Sequence, residues 1–121
     1  MFAWVCEAQL YNTSEIDPLQ DYENIFVRKL YSDSLTTTFV IWIKKDVPLH
    51  KHADHIEQLI ILEGTGLMTL GSETFEVKAG DLLVIPKDTP HALVVKSGIP
   101  VKVISIQAPE FDGSDRIMLS K

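Results

Sequence analysis

The sequence predicts an all-β domain, a sandwich or barrel of short antiparallel strands. Three observations lead there. From Asn24 on, short runs of β-branched, aromatic and aliphatic residues recur with turn residues between them, at about the 8–12-residue spacing of all-β folds. No segment carries the 3.6-residue apolar period of a long amphipathic helix. Gly71-Ser72 stands between Leu70 and Glu73 as a two-residue hairpin signal. Closing such a sheet into a barrel or jelly roll shelters its strand edges.

The elements follow in order. Residues 1–24 are mixed and acidic and read as an N-terminal arm that packs on the barrel or on a second subunit. Ser14-Glu15-Ile16-Asp17 could open a short helix, which Pro18 stops. Ile25 to Tyr31 alternates in part, as a strand does. Thr36 to Ile43 is apolar on both faces and suits a strand buried on both sides. Gln58–Leu62 and Leu67–Leu70 flank Glu63-Gly64-Thr65-Gly66. Phe75 and Val77 alternate with charged residues, and Ala79-Gly80-Asp81 turns the chain into Leu82–Ile85. His91–Lys96 and Val101–Ile106 follow, separated by the turn Ser97-Gly98. There is no tandem repeat or linker, so residues 1–121 read as one domain.

The 121 residues are enough for one hydrophobic core. Net charge is −6, and Arg28-Lys29 and Lys44-Lys45 are pairs, not patches, which argues against nucleic acid as a partner. The single cysteine, Cys6, excludes an intrachain disulfide and fits a reducing compartment. The opening Met-Phe-Ala-Trp-Val-Cys-Glu lacks the basic residue of a secretory signal. No stretch approaches the roughly 18 apolar residues of a membrane span. A cytoplasmic protein without membrane partners is expected.

The chemistry lies in the histidines, all four of which fall between His50 and His91. On an extended strand residues i and i+2 share a face, so His50 and His52 can aim both imidazoles at one point, and Glu57 follows five residues later. Imidazole nitrogen with carboxylate oxygen is a ligand set for a divalent first-row metal.

The spacing resembles the two motifs of the cupin family. The first, G-x5-H-x-H-x(3,4)-E-x6-G, is met by His50, His52, Glu57 and Gly64. The second, G-x5-P-x-G-x2-H-x3-N, is met by Gly80, Pro86 and His91. Three positions depart: Lys44 stands for the first Gly, Asp88 for the Gly after Pro86, and Val95 for the closing Asn. They bear on turn geometry and pocket polarity, not on ligands. The resemblance covers about residues 36–107. It implies a single antiparallel jelly-roll barrel, often dimeric, and a metal held by His50, His52, Glu57 and His91. The ion would be Fe, Mn, Ni, Co, Cu or Zn, with open positions for water, substrate or dioxygen.

From these residues a metal-dependent enzyme acting on a small organic molecule is expected. Dioxygenase-type chemistry is favoured over isomerisation or decarboxylation, because the metal then carries the hard step. The alternative is a non-catalytic module that binds a small ligand. Glu57 and His55 are the candidate acid–base groups, with His55 expected on an exposed loop. Asp54 and Glu63 are expected in solvent. If parity continues from the ligands, Leu59 and Ile61 share a face with Glu57, and Leu93 and Val95 with His91. Phe39 or Trp42, whichever points inward, adds an aromatic wall to an apolar cavity.

Overall fold

A computed structural model describes residues 8–120. Cys6 lies outside the described residues. Ten strands run β1 (Ile25–Ser32), β2 (Thr37–Ile43), β3 (Asp46–Lys51), β4 (Ile56–Glu63), β5 (Thr65–Leu70), β6 (Glu73–Lys78), β7 (Leu82–Ile85), β8 (His91–Val95), β9 (Val101–Ala108) and β10 (Ile117–Met118). They form two five-stranded sheets, ordered β1-β2-β9-β4-β7 and β10-β3-β8-β5-β6, in which every ladder is antiparallel. The chain switches sheets repeatedly, as a jelly roll (a double-stranded β-helix) requires. Among the described residues no helix is long and apolar enough to cross a membrane.

Strand parity decides what fills the space between the sheets. Ile61, Met68, Val77, Ile85, Leu93 and Val101 pack there as one buried cluster. β2 is buried on both faces, as its composition predicts. Its inward residues Phe39, Ile41 and Ile43 line a cavity, whereas Trp42 points out and packs with Val40 against Ile16 of the N-terminal arm. Phe39 is therefore the inward aromatic of the two.

The arm packs on the barrel through Ile16 and Tyr22. The expected short helix is a 3-10 turn over Thr13–Glu15, capped by Asn12, whose Oδ1 accepts from Ser14 N at 3.1 Å. Lys102, 3% exposed on the outer face of β9, donates from Nζ to Thr13 O at 2.6 Å.

Two turns fix the strands that matter most. Gly64 has φ +83°, and a Cβ there would lie 2.7 Å from Pro100 O, so the turn from β4 to β5 admits only glycine. Asp88, the residue standing where the motif has Gly, has φ +62°. It adopts the left-handed conformation itself, which Asp tolerates better than most residues. Its N–H donates to His52 O at 2.6 Å, and its carboxylate meets Lys51 Nζ at 2.7 Å. The departure from the motif thus keeps the turn and ties it to the end of β3.

Candidate metal centre

Three strands bring the predicted side chains together. His50 on β3 and His91 on β8 form a cross-strand pair, with ring centroids 4.1 Å apart. β3 ends at Lys51, yet the alternation carries one residue further, so His50 and His52 are both buried at 4% exposure. Glu57 reaches the same point from β4, in the opposite sheet. The ligand atoms of His50, His52 and His91 all lie within 4.8 Å of one another, close enough to hold one metal ion.

The hydrogen bonds around the imidazoles set their chemistry. Each Nδ1 faces a backbone carbonyl: Pro48 O at 2.8 Å for His50, Asp115 O at 2.6 Å for His52 and Thr89 O at 2.9 Å for His91. A carbonyl only accepts, so each Nδ1 carries the hydrogen. In the neutral ring the lone pair is then on Nε2, the arrangement by which outer partners orient histidine ligands. Nε2 of His91 is buried with no hydrogen-bond partner. Oε1 of Glu57 lies 3.3 Å from it and 3.4 Å from Nε2 of His52. The other oxygen, Oε2, accepts from Ser105 Oγ at 2.5 Å and from Gln107 Nε2 at 3.5 Å. Lone pairs and a carboxylate oxygen thus converge in a dry site, an arrangement that costs energy by itself and that a divalent cation satisfies. The residues fit the group.

Electrostatics point the same way. Burial, helped by the neighbouring His91, pulls His50 down to about 4, so this ring is neutral at physiological pH. Burial also works against charge on His52, but Glu57 and the Asp115 carbonyl outweigh it and raise its pKa. Burial by itself raises Glu57. The His52 and His91 rings beside it and the Ser105 hydroxyl reverse this and hold it well below the usual carboxylate range, hence ionised.

Beside these groups lies a cavity of about 280 Å³ between the sheets. Leu59 and Ile61 line it with Glu57, as parity predicts, and Leu93 lines it with His91. Val95 packs against the core instead. Apart from the three histidines and Glu57 the cavity wall is mostly apolar, and the buried Gln107 adds a polar group to it, with Oε1 unpartnered.

One wall has no counterpart in the sequence reading. Residues 109–116 return across the space between the sheets. Phe111 N donates to Thr37 Oγ1 at 2.9 Å, and the Phe111 ring stands edge-on to His52 and His55, each 5.1 Å away. Asp115 accepts from Ala53 N at 2.9 Å, Asp54 N at 2.8 Å and His55 Nδ1 at 2.6 Å. Beyond it β10 pairs with β3 at Lys51 and His50. Ser105 and Gln107, which hold Glu57, and Asp115, which holds His52, carried no recognisable spacing.

His55 lies on the loop between β3 and β4, as expected, but is not exposed there. Its side chain is 12% exposed and lies outside the cavity lining. Nε2 faces Glu110 O at 2.8 Å and Nδ1 faces the Asp115 carboxylate, so both nitrogens donate and the ring is held as a cation. Burial lowers its pKa, but these two partners more than reverse that. Asp54 and Glu63 are exposed, and Glu63 reaches Lys102 Nζ at 3.6 Å.

Comparison with known proteins adds the family. Residues 38–107 match the profile described as Cupin domain. The uncharacterized protein MJ1618 of Methanocaldococcus jannaschii is 44% identical over 71 residues, which are 59% of this chain and 57% of that protein. This chain therefore spans little more than half the length of that relative. An uncharacterized protein of Aquifex aeolicus is 33% identical over 95 residues, 78% of either chain. L-ectoine synthase of Hyphomonas neptunium is 28% identical over 90 residues, 71% of this chain and 67% of the enzyme. Among solved structures, a double-stranded β-helix protein of Klebsiella pneumoniae superposes with a TM-score of 0.79 at 14% identity, covering 95% of this chain and 100% of that one.

Proposed function

This chain belongs to the cupin family, and from that premise we propose that it is a metal-dependent enzyme for a small organic molecule, with His50, His52, Glu57 and His91 as the four metal ligands. The observation that carries the proposal is the fixed set of Nδ1–H bonds to carbonyls, which leaves Nε2 free on three clustered histidines, with Glu57 Oε1 beside Nε2 of His52 and His91. Nitrogen-rich donors favour Mn, Fe, Co, Ni, Cu or Zn over Mg or Ca. Such an ion would polarise a substrate oxygen or activate dioxygen.

The chain's own residues do the rest. Ser105 and Gln107 hold Glu57 by Oε2 and leave Oε1 turned to the histidines. Phe39, Leu59 and Leu93 exclude water from the cavity and fit an apolar body. A volume of about 280 Å³ is at the lower edge of the roughly 300–1,000 Å³ usual for ligand pockets, so the substrate is small. Besides the proposed ligands the cavity wall offers few groups to move a proton, which favours dioxygenase-type chemistry over isomerisation or decarboxylation. For His55 we propose a positioning role through Asp115, in place of the acid–base role expected from its position in sequence. The relationship to L-ectoine synthase, named as an enzyme, supports catalysis as such.

Two further parts of the proposal concern setting. On the outer face of the first sheet Ile60 of β4 pairs with Leu82 of β7 and Ile104 of β9, Val84 pairs with Gln58, and Leu82 and Val84 are 58% and 54% exposed. An apolar sheet face of this kind suits a second copy of the chain. The protein is taken to be cytoplasmic, on the grounds its sequence gives.

The test is elemental analysis of the purified protein, followed by oxygen uptake with a panel of diketones, catechols and flavonols. Metal present, with uptake abolished in folded His50→Ala, supports the enzyme. A ligand that raises the melting temperature without turnover supports the binding module. A protein that takes up none of the six metals overturns the reading.

A further inference from the structure

Besides Glu57, three charged side chains stand among the apolar residues of the cavity wall: Lys29, Asp112 and Arg116. They differ in how they are engaged. Oδ1 of Asp112 accepts from Ser114 N at 2.9 Å and from Ser114 Oγ at 2.6 Å, so this carboxylate closes its own turn. Among the described residues neither Lys29 nor Arg116 has a hydrogen bond or a carboxylate partner for its side chain.

Both cations are placed by built structure. Ile25, Val27 and Lys29 are alternate residues of β1 and all three line the cavity, so Lys29 occupies a position that parity assigns to the inward face. The ladder with β2 slips just past it. Arg116 is held from both sides. Asp115 before it is bound by Ala53 N, Asp54 N and His55, and Ile117 after it pairs with Lys51. Its own N–H donates to Ser114 O at 2.9 Å. Both residues are exposed, which puts them at the rim, while the histidines and Glu57 lie at the buried end. At that buried end Gln107, whose Nε2 donates to Glu57 Oε2 at 3.5 Å, presents an Oε1 without a hydrogen-bond partner among the described residues.

We propose that Arg116 and Lys29 form an anion-holding rim, and that the cavity takes a small organic carboxylate: the acid head on Arg116 and Lys29, an apolar body along Phe39 and Leu93, and a hydrogen-bonding group at the far end against Gln107. This rests on the reading of the cavity as the reaction chamber and names the substrate class for it. Arginine is suited to the task, because its planar fork grips a carboxylate through two parallel bonds. Arg116 and Lys29 determine specificity and take no part in the chemistry.

The experiment measures binding of benzoate, benzamide and phenyl phosphate by calorimetry to the metal-loaded protein, to Arg116→Gln and to Lys29→Gln, with metal content read in each. Benzoate is expected to bind at least tenfold more tightly than benzamide. Arg116→Gln is expected to remove about tenfold of benzoate affinity, leave benzamide unchanged and leave metal content unchanged. Lys29→Gln is expected to do the same more weakly, and added salt to reproduce the loss. Phenyl phosphate binding more tightly than benzoate would overturn the carboxylate assignment. Equal binding of benzoate and benzamide, or benzoate binding that survives both substitutions and disappears with the metal, would overturn the rim itself. A rim that works in a protein holding no metal would instead strike at the metal-centre reading alone.

Discussion

His52 and Asp115 are 63 positions apart in the chain, yet the ring of the one is oriented by the backbone carbonyl of the other at 2.6 Å. The Asp115 side chain secures that carbonyl by accepting from Ala53 N, Asp54 N and His55. A residue far from the motifs therefore aims a motif histidine.

Asp115→Ala removes these three acceptor contacts and releases the returning segment. Metal affinity should fall by about 10- to 100-fold, the usual cost of losing a group that orients a ligand, with the strand signature in circular dichroism retained. Competition against a chromogenic chelator measures it, and unchanged affinity would show that the segment does not position His52.

Ser105 is fully buried and donates to Glu57 Oε2. Ser105→Ala leaves an ionised, buried oxygen short of a donor, which costs about 1–3 kcal/mol. Urea unfolding of the metal-free protein should show this loss. Ser105→Thr, which keeps the hydroxyl, should recover part of it; equal stability of the serine and alanine proteins would sink the point.

Asp88 holds φ +62° at an exposed turn. Asp88→Gly should be nearly neutral, because glycine adopts this backbone freely and an exposed pair such as Lys51–Asp88 contributes little. Asp88→Val should cost about 1–2 kcal/mol, since a β-branched residue is strained there. Melting temperatures that rank Val with Gly would contradict the conformation.

Metal binding should release protons. In the metal-free protein His52 is burdened by burial yet raised by Glu57 and the Asp115 carbonyl, so near neutral pH part of it is protonated. His50, pulled to about 4 by burial, is already neutral. A metal must displace the His52 proton, so affinity falls as pH falls through the raised His52 pKa, by about tenfold per unit below it. Calorimetry in two buffers of different ionisation heat counts the protons; a count of zero at pH 6 would refute the assignment.

Much of this was legible in the sequence where spacing alone carries the information. His50, His52, Glu57 and His91 stand at intervals that strand alternation and two turns turn into convergence. Gly64 and Gly80 both have positive φ. Leu59, Ile61 and Leu93 followed by parity. What stayed hidden depends on chain that returns from far away. Pro109-Glu-Phe-Asp-Gly-Ser-Asp-Arg116 has neither helical nor strand period, so nothing local announces that Phe111 and Asp115 wall the site. His55 was misplaced for the same reason: with its partners Glu110 and Asp115 unseen, a loop histidine looks exposed. Asp88 shows the reverse case, a residue that departs from the motif and still supplies the backbone the motif requires.

The division between the returning segment and the rest of the barrel has a consequence for how such proteins diversify. The proposed ligands all sit within residues 38–107, whereas Phe111, Asp112 and Arg116 lie after them. Selection could rewrite Asp112 and Arg116, and with them the choice of cargo, while Asp115 beside them goes on aiming His52. Two relatives with the same ligands need not share a substrate, and exchanging the rim positions on either side of a retained Asp115 is the modest edit by which one could be given the appetite of another.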